Sequence, residues 1–223
     1  LIGEDDELGA VTGVQFEHGP GPYVLVGHSL GGAYVRRFAQ RFPGEVAALL
    51  LLEPLHEDWD AFMPEHLRLG TTRPSDAPLP EPTPEIIAHV RRNFAQQLAA
   101  WPDPIREQLI DQHTTPDGLL AGLREGRNIS AMLSELRTGG EVPDVPLIVM
   151  GATAFDPGQQ MFQSDADLRE QIDATQRLYR AVAAAAPQGE YRVLADAAHT
   201  TIPMERPDAV ADAIADLLEP VRR

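Results

Sequence analysis

Ser29 lies within Gly27-His28-Ser29-Leu30-Gly31, a GxSxG sequence followed by another glycine at position 32. The apolar run Tyr23-Val24-Leu25-Val26 precedes it, and the helix-like stretch Ala33-Tyr34-Val35-Arg36-Arg37-Phe38-Ala39-Gln40-Arg41-Phe42 follows. A bare Gly-x-Ser-x-Gly is often only a turn. Between a strand and a helix, however, the serine occupies a sharp, strained corner with its oxygen exposed above the sheet, as a nucleophile requires. Glycines are expected at 27 and 31, where a side chain would crowd the turn or the approach of helix to strand.

A serine hydroxyl needs a base. His199 lies in Ala195-Asp196-Ala197-Ala198-His199-Thr200-Thr201-Ile202-Pro203, between the last apolar strand and a closing helix. An imidazole there takes the serine proton near neutral pH and returns it to a leaving group. Loops at the carboxyl ends of parallel strands share one sheet edge, so separation along the chain is no obstacle. Of the remaining histidines, His18 precedes the first strand, and His56, His66, His89 and His113 fall in the middle of the chain. His28 is expected to line the pocket rather than to act as the base.

The elements that must carry these residues alternate. Strands are expected over Tyr23 to Val26, Val46 to Leu52, Val145 to Met150 and Tyr191 to Leu194, and helices over Gly31 to Phe42, Leu168 to Ala186 and Pro207 to Val221. Val46-Ala47-Ala48-Leu49-Leu50-Leu51-Leu52 is continuously apolar, as a parallel strand covered on both faces should be. Between the second and third strands the pattern becomes helical and is broken by Pro74, Pro78, Pro80, Pro82 and Pro84. Thr83-Pro84-Glu85-Ile86 supplies an N-cap, a proline at the first helical position and an acidic first turn. Further helices are expected over Pro104 to His113 and Pro116 to Arg137. The expected division is a linker or N-terminal remnant at 1–21, a doubly wound α/β core at 22–53 and 143–223, and a helical cap at 54–142.

Composition narrows the chemistry. With 34 acidic residues against 18 basic ones the formal charge is −16, which disfavours nucleic acid and anionic membrane surfaces as partners. Every basic residue is arginine, so no lysine is present to form a Schiff base. Cysteine is absent as well, which removes thiol nucleophiles, disulfides and zinc–thiolate sites. No cofactor or metal is called for. No apolar stretch approaches a membrane span and no signal peptide is legible, so a cytoplasmic location is expected.

Gly27-His28-Ser29-Leu30-Gly31-Gly32, together with His199-Thr200-Thr201-Ile202-Pro203-Met204-Glu205-Arg206-Pro207, resembles the α/β-hydrolase fold superfamily across 22–53 and 145–221. The resemblance implies acyl transfer to Ser29, with the backbone N–H of Leu30 in the oxyanion hole and a carboxylate orienting His199. Members place that acid after either of two strands, which leaves two candidates. Glu53 ends the strand that follows the nucleophile helix, a spacing similar to haloalkane dehalogenases and some lactonases. Asp156 follows the next strand, the commoner location, after a stretched loop.

A small-molecule ester, lactone or similar acyl substrate is implied, with His28, Trp59, Phe62 and Met63 lining its pocket. A peptidase or a thioesterase would share the same triad, and a non-catalytic binding or assembly subunit would share the fold. The second oxyanion donor of the family comes from a loop after an earlier strand. His18-Gly19 lies too close to the first strand to serve. The chain is therefore expected to be the carboxyl-terminal portion of a larger hydrolase, its N-terminal portion supplied from outside these residues or as a separate chain. A homo-oligomer is left open.

Overall fold

The computed structural model describes residues 21–70, 79, 81–161 and 163–221. The expected linker, apart from Gly21, lies outside the described residues, as do His18, Pro74, Pro78 and Pro80. Four strands, β1 (Tyr23–His28), β2 (Val46–Leu52), β3 (Leu147–Ala152) and β4 (Gly189–Leu194), form a parallel sheet in chain order. β3 begins later than the apolar run suggests. Pro146 has no N–H to give a ladder, although its carbonyl still accepts from Leu49 N at 2.9 Å.

Alternation along the inner strands sorts their side chains onto two covered faces. Ala48, Leu50 and Leu52 of β2 join Ile148 and Met150 of β3 beneath Ala213 and Leu217 of the closing helix α9 (Pro207–Val221), which follows the short α8 (Ile202–Glu205). On the other face, Leu49, Leu51 and Val149 pack with Ala39 of α1 (Leu30–Arg41) and with Leu178 and Tyr179 of α7 (Asp165–Ala185). Every residue of β3 is buried, as is every residue of β2 except Ala47. Each fully buried Leu in such a layer contributes about 1.5–3 kcal/mol relative to an exposed one. At the first strand Val26 remains 41% exposed.

The segment between β2 and β3 is helical: α2 (Trp59–Phe62), α3 (Pro84–Gln97), α4 (Asp103–His113), α5 (Pro116–Arg127) and α6 (Ile129–Thr138). Thr83 caps α3, its hydroxyl accepting from Ile86 N at 3.3 Å. The single helix expected from Pro116 to Arg137 is instead two helices. Asn128, with φ −95° and ψ 2°, ends α5 and is the residue before α6, its side chain making no capping bond. The break lets α6 turn against α1, where Leu133 and Leu136 bury Ala33 and pack with Leu30 and Leu55. α7 starts three residues earlier than its apolar periodicity suggests, because the Ser164 hydroxyl accepts from Asp167 N.

A buried ion pair locks the start of this helical segment to α1. Arg36, only 6% exposed, donates to both oxygens of Glu57 at 2.5 and 2.8 Å, and Arg137 of α6 donates to the Glu57 carbonyl. Burial alone would raise the Glu57 pKa, but the hydrogen bonds and charge of Arg36 outweigh it and hold the carboxyl at about 2. Neighbouring His56 is desolvated and faces Arg36, which brings its imidazole down to about 3. Its Nδ1 accepts from Asp58 N at 3.1 Å, as only an unprotonated nitrogen does.

Both folded pKa values lie below those of the free groups, so the unfolded chain takes up protons that the folded chain refuses. The stability concerned is present above pH 6.5 and is lost as pH falls toward 3 for His56, and from about 4.5 toward 2 for Glu57. Thermal melts followed by circular dichroism are therefore expected to show the parent losing melting temperature between pH 6.5 and 3 more steeply than His56→Gln. Parallel profiles would contradict this assignment.

Candidate active site

The parallel register pairs His28 with Leu52 at the ends of β1 and β2, so Ser29 and Glu53 are corresponding residues just beyond two adjacent strands. Both have left-handed backbones, Ser29 at φ 54° and Glu53 at φ 46°. Non-glycine residues in this region carry strain that the surroundings must impose. At Ser29 three hydrogen bonds do so: its N–H donates to Leu52 O at 3.0 Å, and its carbonyl accepts from Gly32 N at 3.0 Å and Leu55 N at 2.9 Å. Glu53 N donates to Met150 O at 2.9 Å.

Ser29 is also the N-cap residue of α1, yet its side chain makes no capping hydrogen bond. Its oxygen instead lies 3.0 Å from His199 Nε2. His199 Nδ1 lies 3.3 Å from Glu53 Oε2, and Glu53 Oε1 accepts from Ala152 N at 2.7 Å. The carboxylate is thus anchored on β3 through one oxygen and faces the imidazole with the other. A carboxylate can only accept, so Nδ1 carries the imidazole proton and Nε2 is free to accept from the serine hydroxyl. Glu53 is 7% exposed.

Asp156, the alternative acid, is buried but turns elsewhere. Its Oδ1 accepts from Gly158 N and Gln159 N at 2.8 and 3.0 Å, and its Oδ2 accepts from Thr200 N at 2.7 Å. Burial works against its ionisation, but these donors, Thr200 foremost, hold its pKa below the usual carboxylate range. Leu30 is the first residue of α1, where a backbone N–H has no intrahelical acceptor and the helix dipole is positive. His28, expected to line the pocket, has its Nε2 2.7 Å from the His199 carbonyl oxygen.

Trp59, Phe62 and Met63, expected along the pocket, are found in packing contacts. Met63 is 2% exposed, and Trp59 and Phe62 pack against the α1/α7 face of the sheet. The Trp59 indole N–H donates to Leu67 O at 3.2 Å. A groove of about 600 Å³, lined by residues including Phe155, Arg169, Arg177 and Val193, contains none of Ser29, Glu53 and His199. Among the described residues no group of three or more His, Cys, Asp or Glu is placed to hold a metal ion. Nor is any helix among them long and apolar enough to cross a membrane.

The glycine expectation is corrected at one position. A Cβ at Gly27 would lie 2.5 Å from Gly31 O and 2.7 Å from a Val35 methyl, whereas one at Gly31 would meet nothing within 4 Å. The second crowded position is Gly32, whose Cβ would lie 2.5 Å from Pro54 Cβ and 3.0 Å from its Cα. It is therefore Gly32 that lets α1 approach the end of β2, while Gly31 faces open space.

A model of the Alpha/beta hydrolase family matches residues 3–213, and the chain belongs to that family. It is similar to Lipase LipV of Mycobacterium tuberculosis, with 44% identity over 50 residues, a stretch covering 22% of this chain and 19% of that protein. In structure it is similar to Cfl2 from Burkholderia cenocepacia, with 19% identity and a TM-score of 0.53 over 88% of this chain and 65% of that one. It is also similar to a mutant of an epoxide hydrolase candidate from Pseudomonas aeruginosa with MFA bound, at 19% identity and a TM-score of 0.57 over 96% of this chain and 70% of that one. These structural likenesses are of fold. The chain spans about two thirds of the length of the solved relatives and a small part of the lipase.

The crowding at the corner sets a stability order. Gly27→Ala and Gly32→Ala are each expected to cost roughly 1–3 kcal/mol, because backbone or a proline ring must move. Gly31→Ala is expected to fall within about 0.5 kcal/mol of the parent. Urea unfolding midpoints check the order, and a Gly31→Ala loss as large as that of Gly32→Ala would contradict it.

Proposed function

We propose that this chain carries the catalytic serine, histidine and acid of a hydrolase that cleaves a carboxylic ester, lactone or similar acyl substrate through an acyl-serine intermediate. The observation that carries the reading is the unbroken chain of contacts Ser29 Oγ to His199 Nε2 at 3.0 Å and His199 Nδ1 to Glu53 Oε2 at 3.3 Å. In this reading Ser29 Oγ attacks the acyl carbon while its proton passes to His199 Nε2. The carbonyl oxygen, now negative, is stabilised by the Leu30 N–H. The imidazolium is held by Glu53 and returns its proton to the departing alkoxide, which leaves Ser29 acylated. Water then attacks the acyl carbon as His199 Nε2 takes its proton, the bond to Ser29 Oγ breaks, the proton returns to Oγ, and the carboxylic acid leaves.

A serine at the corner favours acyl chemistry over epoxide or haloalkane opening, which relatives perform with an aspartate at that position. In this reading residues 54–142 act as the cap. The second oxyanion donor and a strand beside β1, where Val26 is 41% exposed, come from the N-terminal portion of the same hydrolase.

Incubation with a fluorophosphonate probe followed by peptide mapping is expected to place the adduct on Ser29, with no labelling of folded Ser29→Ala. Glu53→Gln is expected to lower ester turnover by about 10³–10⁴-fold, the scale seen when a triad carboxylate is lost. Asp156→Asn is expected to lose about tenfold or less, since it leaves the imidazole's own acceptor in place. Labelling that survives in Ser29→Ala, or the reverse order of the two acid variants, would contradict the reading.

A further inference from the structure

The peptide bond that follows the catalytic base is held at both of its polar ends. His28 Nε2 lies 2.7 Å from the His199 carbonyl oxygen, and since a carbonyl only accepts, His28 carries its proton on Nε2 and donates it. Asp156 Oδ2 accepts the Thr200 N–H at 2.7 Å. The His199 carbonyl and the Thr200 N–H belong to one planar unit. The two side chains reach it from different strands, His28 from the last position of β1 and Asp156 from the loop after β3.

We infer that His28 and Asp156 are positioning residues that clamp the His199–Thr200 peptide and so fix the point from which the imidazole reaches Ser29 and Glu53. This rests on the serine-hydrolase reading above.

Three features make the clamp rigid. Asp156 is 2% exposed and its other oxygen is occupied by Gly158 N and Gln159 N, so the carboxylate cannot turn away without breaking its own loop. Its hydrogen bond to Thr200 is assisted by its charge and is stronger than a neutral one. His28 directly precedes Ser29, so the strand end that aims the nucleophile also holds the base, and the two move as one frame.

The electrostatics suit the reaction. The rings of His28 and His199 are 5.0 Å apart between centroids. A charge on His28 would oppose the imidazolium that forms on His199 during catalysis. Burial, and then the proximity of His199 itself, lower the His28 pKa and keep it neutral. Glu53 acts on the ring and Asp156 on the backbone, so the two carboxylates divide one task. A base on an irregular loop needs both, since a displacement of about 1 Å costs up to 10²-fold in rate.

The test measures the rate of fluorophosphonate labelling of Ser29 and hydrogen exchange at the Thr200 amide in the full chain. His28→Phe keeps a ring but loses the donor, and is expected to label roughly ten- to hundredfold more slowly. His28→Gln keeps an N–H at similar reach and is expected to recover most of the rate. Asp156→Ala is expected to slow labelling to a similar extent, and the double variant with His28→Phe no further than the worse single, because both act on one peptide. In each slowed variant the Thr200 amide is expected to exchange faster.

A parent-like rate in His28→Phe, a failure of His28→Gln to recover, or losses that multiply in the double variant would overturn the clamp. Should Asp156→Ala fail to fold, the His28 pair and the Thr200 exchange decide alone. A parent chain that does not label at all refutes the serine reading. The clamp is then judged by Thr200 exchange, which His28→Phe should accelerate and His28→Gln should not.

Discussion

The register between β1 and β2 is the constraint on which the site depends. Pairing His28 with Leu52 puts Ser29 and Glu53 side by side at the sheet edge, and a slip of one residue would send one of the two to the other face. The pairing continues past the strand ends, where Ser29 N donates to Leu52 O at 3.0 Å and Glu53 N donates to Met150 O at 2.9 Å. Behind it, Leu50 and Leu52 face α9 while Leu49 and Leu51 face α1 and α7, so β2 is held from both sides.

Two left-handed residues at adjacent strand ends are costly, and the structure offsets that cost with backbone hydrogen bonds rather than with side chains. Ser29 is bonded through its N–H and its carbonyl to Leu52, Gly32 and Leu55, and Glu53 is bonded to Met150. Gly32 makes this arrangement sterically feasible by letting α1 come against Pro54. The side-chain oxygens are left available. Ser29 does not cap its own helix, and Glu53 uses only one oxygen on Ala152 N.

Much of this was legible from residue types and periodicity. The corner at Ser29, the apolar run of β2, the Thr83 cap and the closing helix from Pro207 are local signals, and each element lies where its pattern indicated. Whatever depends on register or on distant packing was not legible. The sequence left Glu53 and Asp156 both open, because the choice turns on which carboxylate meets the imidazole and which meets the Thr200 N–H. Gly31 and Gly32 are indistinguishable as letters, and only the position of Pro54 separates them. Nothing local in Arg36, Glu57 or His56 signals the buried ion pair formed where α1 and α6 meet. Nor does anything local reveal that the His28 ring reaches the His199 carbonyl. The break at Asn128 lies two residues after Gly126, but neither residue obliges a helix to end, and the break goes with the docking of α6 on α1.

The central claim is that Glu53 holds the proton on His199 Nδ1 and thereby leaves Nε2 free for Ser29. Proton NMR of the intact chain, observing the far-downfield resonance of an imidazole N–H bonded to a carboxylate, tests it without a substrate. The parent and Asp156→Asn are expected to show that resonance, and Glu53→Gln to lack it. A resonance that persists in Glu53→Gln and disappears in Asp156→Asn would contradict the account.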